Sequence, residues 1–142
     1  MLISTKGRYA LRVMTDIAEH GSDAFIPLQE ISERQEISRK YLESIMTILS
    51  KKKLVISGHG KGGGYKLARS PEEYPLLEIL ELTEETLAPV ACLKKDAEVC
   101  PRCGYCRTLP LWTELNDMIR TYLGNKTIAD LMRQDSFDDY II

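Results

Sequence analysis

Three patterns in the 142-residue chain predict a mainly α fold. Apolar residues recur at the 3.6-residue spacing of amphipathic helices through most of the first fifty positions. Two β-prone runs then flank Ser57-Gly58-His59-Gly60-Lys61-Gly62-Gly63-Gly64, five glycines in eight residues. A later stripe of Leu111, Leu115, Met118, Ile119 and Tyr122 repeats on one side of a long helix. The sum is a winged helix-turn-helix with a two-stranded wing and a long C-terminal dimerisation helix.

Each element has a local reason. Ser4 or Thr5 caps the first helix, whose stripe is Ala10, Val13, Met14, Ile17 and Ala18, with Gly21 as its stop. Pro27 precedes a short second helix built on Leu28 and Ile31, and Gln35 to Ile37 form the turn. Ser38 caps the third helix. Its buried stripe is Tyr41, Leu42, Ile45, Ile48 and Leu49, and its outer face is Arg39, Lys40, Glu43, Ser44, Thr47 and Lys51. Leu54-Val55-Ile56 and Tyr65-Lys66-Leu67 are the wing strands. Ser70 to Glu73 suit a single turn. Pro75 opens a fourth helix to Glu84 that packs through Leu76, Leu77, Ile79 and Leu80. Thr108 and Pro110 open the longest helix, with Trp112 beside its stripe and Gly124 as its stop. Thr127 begins a short last helix with Ile128, Leu131 and Met132. The expected organisation is a DNA-binding unit over 1–85, a cysteine-rich loop over 86–107, a dimerising helix and short terminal helix over 108–134, and an acidic tail over 135–142.

Charge is distributed unevenly. Residues 1–70 carry 12 Lys and Arg against 7 Asp and Glu, a balance of +5; residues 71–142 carry 7 against 14, a balance of −7. A basic front half joined to an acidic back half fits a polyanion-binding module with an assembly region attached. Neither a signal peptide nor a spanning apolar run is evident, so a cytoplasmic protein without a membrane partner is expected. No Ser/His/acid set or paired-carboxylate site is evident, so neither enzyme activity nor a small-molecule substrate is expected.

All four cysteines fall in Cys92-x7-Cys100-x2-Cys103-x2-Cys106, a segment with no apolar periodicity. In a reducing compartment such thiols are metal ligands or redox groups more often than disulfides. Thiolates suit an iron–sulphur cluster, and four of them equally suit a closed tetrahedral zinc site. The Cys-x2-Cys spacings also occur in thiol-redox enzymes, but no βαβ pattern surrounds them here.

The candidate DNA contacts divide by role. Arg39, Lys40, Glu43, Ser44 and Thr47 are placed to read base edges in the major groove, where a basic side chain reads guanine and a glutamate accepts from cytosine. Ser38, Lys6, Tyr41, and the wing's His59 and Lys61 are assigned to the backbone or minor groove. Other readings compete. The glycine-rich loop lacks the lysine-serine ending and following helix of a nucleotide cradle. It could also be a hairpin without a ligand. Lys51-Lys52-Lys53 suits a solvated helix end as well as a phosphate contact. His20 reads as a surface residue, and the late apolar stripe could simply cover the domain's own core.

The chain resembles the bacterial IscR/NsrR/CymR-type winged-helix transcription regulators. The resemblance runs from Ser4-Thr5-Lys6-Gly7-Arg8-Tyr9-Ala10 through Ile31-Ser32-Glu33-Arg34-Gln35, Ile37-Ser38 and Tyr41-Leu42-Glu43. It continues through Gly58-His59-Gly60-Lys61-Gly62-Gly63-Gly64-Tyr65 and the cysteine loop to Leu111-Trp112. It is greatest to the iron–sulphur branch represented by IscR; CymR has the scaffold without these cysteines. The resemblance implies a homodimer on a double-stranded operator, a repressor of iron–sulphur assembly or sulphur-metabolism genes. A nitric-oxide or redox-stress sensor is the alternative, and a zinc-stabilised DNA-binding module without sensing is another. Cys92, Cys100 and Cys106 match the iron-binding positions. The histidine that IscR-like members carry three residues after the last cysteine is Leu109 here, which cannot ligate. Cys103 is an extra thiol that could supply the fourth ligand, as could a residue of the partner chain. The oxygen- and nitrogen-poor ligand set favours [2Fe-2S] over [4Fe-4S], with the latter left open, and by the resemblance Glu43 matches a position that tunes sequence choice.

Overall fold

In the computed structural model, which describes residues 2–21 and 23–133, helix α1 spans Thr5–His20 and is capped by Ser4, whose hydroxyl accepts from the Gly7 N–H at 3.0 Å. Its inward stripe is Ala10, Val13, Met14 and Ile17, all buried. Helix α2 (Leu28–Gln35) follows Pro27 and ends at Glu36, whose left-handed backbone (φ 55°) makes the tight turn into α3 (Arg39–Lys51). Ser38 caps α3 through the Tyr41 N–H at 3.2 Å. Leu42, Ile45, Met46 and Leu49 of α3 are buried in the common core, with α3 lying against α2, β1 and α4. Met46 takes the inward place expected of Tyr41 and Ile48, which are half-buried at the edges of the stripe.

Strands β1 (Val55–Gly58) and β2 (Gly64–Leu67) pair antiparallel in the register Val55↔Leu67 to Gly58↔Gly64. Ile26 adds an outer bridge, exchanging two backbone hydrogen bonds with Tyr65 at 2.8 and 2.9 Å. This contact explains Gly64. Its φ is +142°, and a side chain there would collide with the Ile26 carbonyl.

Past the wing, the fully buried Tyr74 closes the hairpin's base. Its hydroxyl donates to the Leu54 carbonyl at 2.7 Å and accepts from the Ala68 and Arg69 N–H groups at 2.9 and 2.8 Å. After one 3₁₀ turn (Pro71–Glu73), α4 (Leu76–Thr83) packs Leu76, Ile79 and Leu80 inward and lies against α1. A second 3₁₀ turn, Ala91–Leu93, is the one piece of regular structure in the cysteine segment. Helix α5 (Leu109–Asn125) packs on α4 and contains no buried residue; α6 (Ile128–Leu131) returns the chain to α1 behind a Thr127/Asp130 capping box. The stop expected at Gly124 falls within α5. The helix ends instead where the Lys126 carbonyl accepts the Leu76 N–H at 2.8 Å. The fold is thus a winged helix-turn-helix followed by a long C-terminal helix. No helix among the described residues is long and apolar enough to cross a membrane. The acidic tail expected at 135–142 lies outside the described residues.

Candidate nucleic-acid interface and cysteine cavity

The outer face of α3, the start of α2 and the wing enclose one groove of about 640 Å³. Arg39, Glu43 and Thr47 form its floor, His59 and Gly60 its wing wall, and Gln29 its far side. Four residues expected to meet DNA from separate elements therefore share one surface. The other six lie around it. Lys40 and Ser44 are exposed on α3, Lys61 sits in the wing turn between Gly60 (φ 78°) and Gly62 (φ 83°), and Lys6 lies in the first turn of α1. Tyr41 is half-buried, edge-on to Tyr9 with ring centroids 5.6 Å apart. Ser38 is the cap of α3.

Hydrogen bonding narrows what these groups can offer. The Ser44 and Thr47 hydroxyls donate to the Tyr41 and Glu43 carbonyls at 2.6 and 2.8 Å, so each faces outward chiefly as an acceptor. Ser38 Oγ accepts from its own helix and keeps its proton for a phosphate oxygen. The Glu43 carboxylate has no hydrogen-bond donor among the described residues, which leaves it available to a base-edge amine. Gln29, absent from the sequence-based set, lies at the groove and accepts from Arg39 Nη1 at 3.5 Å. Nothing in the local pattern of α2 marks it; only the packing of α2 beside α3 does.

At the other end of the chain all four cysteines stand around a single cavity of about 260 Å³, with Val99 and Leu109 also in its wall. Two turns shape this wall, closed by Cys103 N–H to the Cys100 carbonyl and Tyr105 N–H to the Arg102 carbonyl, both 3.0 Å. Cys100 and Cys106 are half-buried, Cys92 and Cys103 exposed, and all are unbridged. Cys106 Sγ lies 3.5 Å from Thr108 Oγ1. That hydroxyl, reinforced by the Thr108 backbone N–H, holds the Cys106 thiol below its ordinary pKa and favours thiolate. Thr108 is also the N-cap position of α5, so the cavity adjoins the start of that helix. Among the described residues no three ligand-type side chains converge on one point; the thiols ring a space instead. A soft, all-sulphur donor set around a cavity suits an iron–sulphur group or a thiolate-bound metal.

The sequence reading missed two further groups. The buried Asp16 carboxylate accepts from Arg34 at 2.8 and 3.0 Å and from Gln35 at 2.8 Å, locking α2 onto α1. Glu84 binds Ser4 across the fold. Along α5, Leu111, Leu115, Met118 and Tyr122 are 56%, 37%, 61% and 62% exposed. This stripe therefore does not cover the chain's own core.

Residues 3–134 match the family model described as Rrf2, iron-dependent transcriptional regulator. Protein rrf2 of Nitratidesulfovibrio vulgaris is 38% identical over 96% of this chain and 90% of its own length. The HTH-type transcriptional regulator IscR of Sodalis glossinidius is 36% identical over 99% of this chain and 84% of its own. Among solved structures, T. potens IscR is similar over 100% of this chain and 93% of that one, with a TM-score of 0.75 and 31% identity.

Proposed function

Because the chain belongs to the Rrf2 family of transcriptional regulators, DNA-binding proteins rather than enzymes, we propose that it is a homodimeric repressor whose operator binding is controlled by an iron–sulphur cluster. Its targets in this reading are iron–sulphur assembly or sulphur-metabolism genes. The observation that carries the reading is the cavity walled by Cys92, Cys100, Cys103 and Cys106. Leu109 lines the same cavity where IscR-like members place a ligating histidine, and Cys103 is a further thiol in its wall. In this reading the set is completed within one chain as four thiolates, with [2Fe-2S] favoured over [4Fe-4S]. When bound, such a cluster supplies a redox- and oxygen-sensitive centre whose integrity reports on the cell's iron and sulphur.

The protein's own part is to join that centre to DNA. Cys106 sits two residues before the α5 cap, so the arrangement of the cysteine wall bears on the first turn of α5. The exposed stripe of α5 is the proposed dimer seam, which sets the spacing of two reading heads on paired half-sites. In each head Arg39, Glu43 and Thr47, with Lys40 and Ser44 beside them, face the major groove. Ser38, Tyr41, Lys6, His59 and Lys61 hold the backbone or minor groove.

Iron, zinc and acid-labile sulphide measured on protein purified without oxygen, with its visible spectrum, test this directly. Iron matched by sulphide in a brown protein is the expected result. Stoichiometric zinc in a colourless protein would replace the sensor by a structural site, the reading that the all-thiolate donor set also accommodates.

A further inference from the structure

Glu84, the residue that ends α4, reaches across the fold to the beginning of α1. Its two carboxylate oxygens accept from the Ser4 backbone N–H and the Ser4 hydroxyl, both at 2.5 Å. The Ser4 hydroxyl has one proton, and Glu84 takes it. This orients the oxygen lone pairs toward the Gly7 N–H, which they cap at 3.0 Å. Gly7 makes room for the grip: a Cβ there would lie 2.5 Å from Glu84 Oε2 and 3.1 Å from Thr83 Oγ1. A buried glycine in the first turn of a 16-residue helix lowers helix propensity, so its presence there is explained by this contact.

The turn held in this way carries Lys6 and Arg8, and two residues after Gly7 the Tyr9 ring packs edge-on against Tyr41 of the recognition helix. Arg8 is tethered to Thr5 Oγ1 at 3.1 Å, whereas the Lys6 ammonium has no carboxylate partner among the described residues. On its other side Glu84 opens the connector Glu85 to Ala88, which shares a cleft with Leu93 and Lys95 of the cysteine segment.

We propose that Glu84 is a positioning residue for DNA binding: it fixes the first turn of α1 so that Lys6 meets a phosphate in register with the recognition helix. The proposal rests on the functional reading in which Lys6 touches the DNA backbone, and it assigns to Glu84 and Gly7 a role that touches no DNA. Charge alone predicts the opposite sign, because removing a carboxylate near a polyanion strengthens binding.

The test is a double-mutant cycle on the full chain, using a fluorescent mixed-sequence DNA duplex so that backbone interactions dominate. The logarithm of the binding constant is followed against the logarithm of salt concentration. In the unmodified background Lys6→Ala should reduce the slope by about 0.9 for each phosphate that the lysine neutralises. In the Glu84→Gln background the same substitution should reduce it by less than half as much. Gly7→Ala should reproduce the Glu84→Gln behaviour with no fall in thermal midpoint, since alanine favours the helix while its Cβ displaces the carboxylate. A full Lys6→Ala effect in both backgrounds, or a normal salt slope in Gly7→Ala, overturns the positioning role while leaving the Lys6 interaction with DNA intact. A Lys6→Ala chain indistinguishable from the unmodified one overturns both.

Discussion

Replacing Tyr74 by phenylalanine removes one oxygen atom and almost no volume, and that atom closes the base of the wing. The hydroxyl has one proton and two lone pairs, and all are in use: it donates to the Leu54 carbonyl and accepts from Ala68 N–H and Arg69 N–H. Two of these partners have a reserve, because the Ala68 N–H also reaches the Leu54 carbonyl at 3.4 Å. The Arg69 N–H has no second acceptor among the described residues. One orphaned donor costs about 1–3 kcal/mol, and weakening the other two interactions adds about 1, so the destabilisation is about 2–4 kcal/mol. For a chain of this size that lowers the thermal midpoint by about 6–12 °C. Circular-dichroism melts of both proteins, at one concentration because assembly shifts the midpoint, give the number. DNA affinity measured well below the transition should fall as well, since the base of the wing is then held by fewer hydrogen bonds. A destabilisation below about 0.5 kcal/mol, the range of ordinary surface changes, would refute the three-bond arrangement.

Met118→Lys places a charge in the middle of the exposed α5 stripe and should turn the proposed dimer into a monomer by light scattering. A dissociation constant at least about 30-fold higher is expected for a central apolar residue, and an unchanged mass would remove α5 from the interface. Cys103→Ser should leave the helical circular-dichroism spectrum intact and abolish stoichiometric iron and sulphide; full retention would assign the fourth ligand elsewhere. Glu78 accepts from Arg69 through two hydrogen bonds of 2.8 and 2.9 Å, which hold its carboxyl below the ordinary value of 4.5. A depressed carboxylate stabilises the fold above its unfolded pKa, and that contribution disappears as pH falls through the folded one. The midpoint gap to Glu78→Gln should therefore be constant from neutral pH down to about 5 and close below it, and it should be small for so exposed a pair, at most about 1 kcal/mol. A gap that persists in acid would assign the effect to packing.

The helices and the wing were legible because their signals are local. A serine cap followed by apolar residues at 3.6 spacing fixes α1 and α3, and a glycine cluster between two short apolar runs fixes the hairpin. What escaped depends on residues distant in sequence. Gly124 has the composition of a helix stop, but the end of α5 is set by Lys126 bonding Leu76. Tyr41 and Ile48 fit an inward stripe, yet the neighbouring helices centre the buried face on Met46. Asp16, Tyr74 and Glu84 are charged or aromatic residues in ordinary local settings, and their partners lie 18, 20 and 80 residues away. The cysteine cluster was visible as a pattern; that its thiols surround one cavity beside the α5 cap is a property of the folded loop.

That loop and helix also raise a question of energy. From Ala88 to Thr127 no residue of the single chain is buried, although α5 alone orders 17 residues. Fixing one residue's backbone costs about 1–2 kcal/mol, and elsewhere in this fold that cost is offset by apolar burial. In the α5 segment the main attachment to the body is the packing on α4. The stretch is therefore stable in proportion to what covers it, which in the proposed function is a partner on the Leu111–Tyr122 stripe and a group held between the cysteines. The two are adjacent, since the cavity wall runs through Cys106 to the N-cap position at Thr108, four residues before Trp112. Whatever orders the wall also orders the first turn of the helix, and whatever clamps the helix holds the wall. In that reading, binding at either place would lower the entropic cost of binding at the other, which couples the two sites with no rigid lever between them. The winged domain keeps its own core of α1, α3 and α4, so the response in the proposed function runs through the spacing of two heads rather than through refolding.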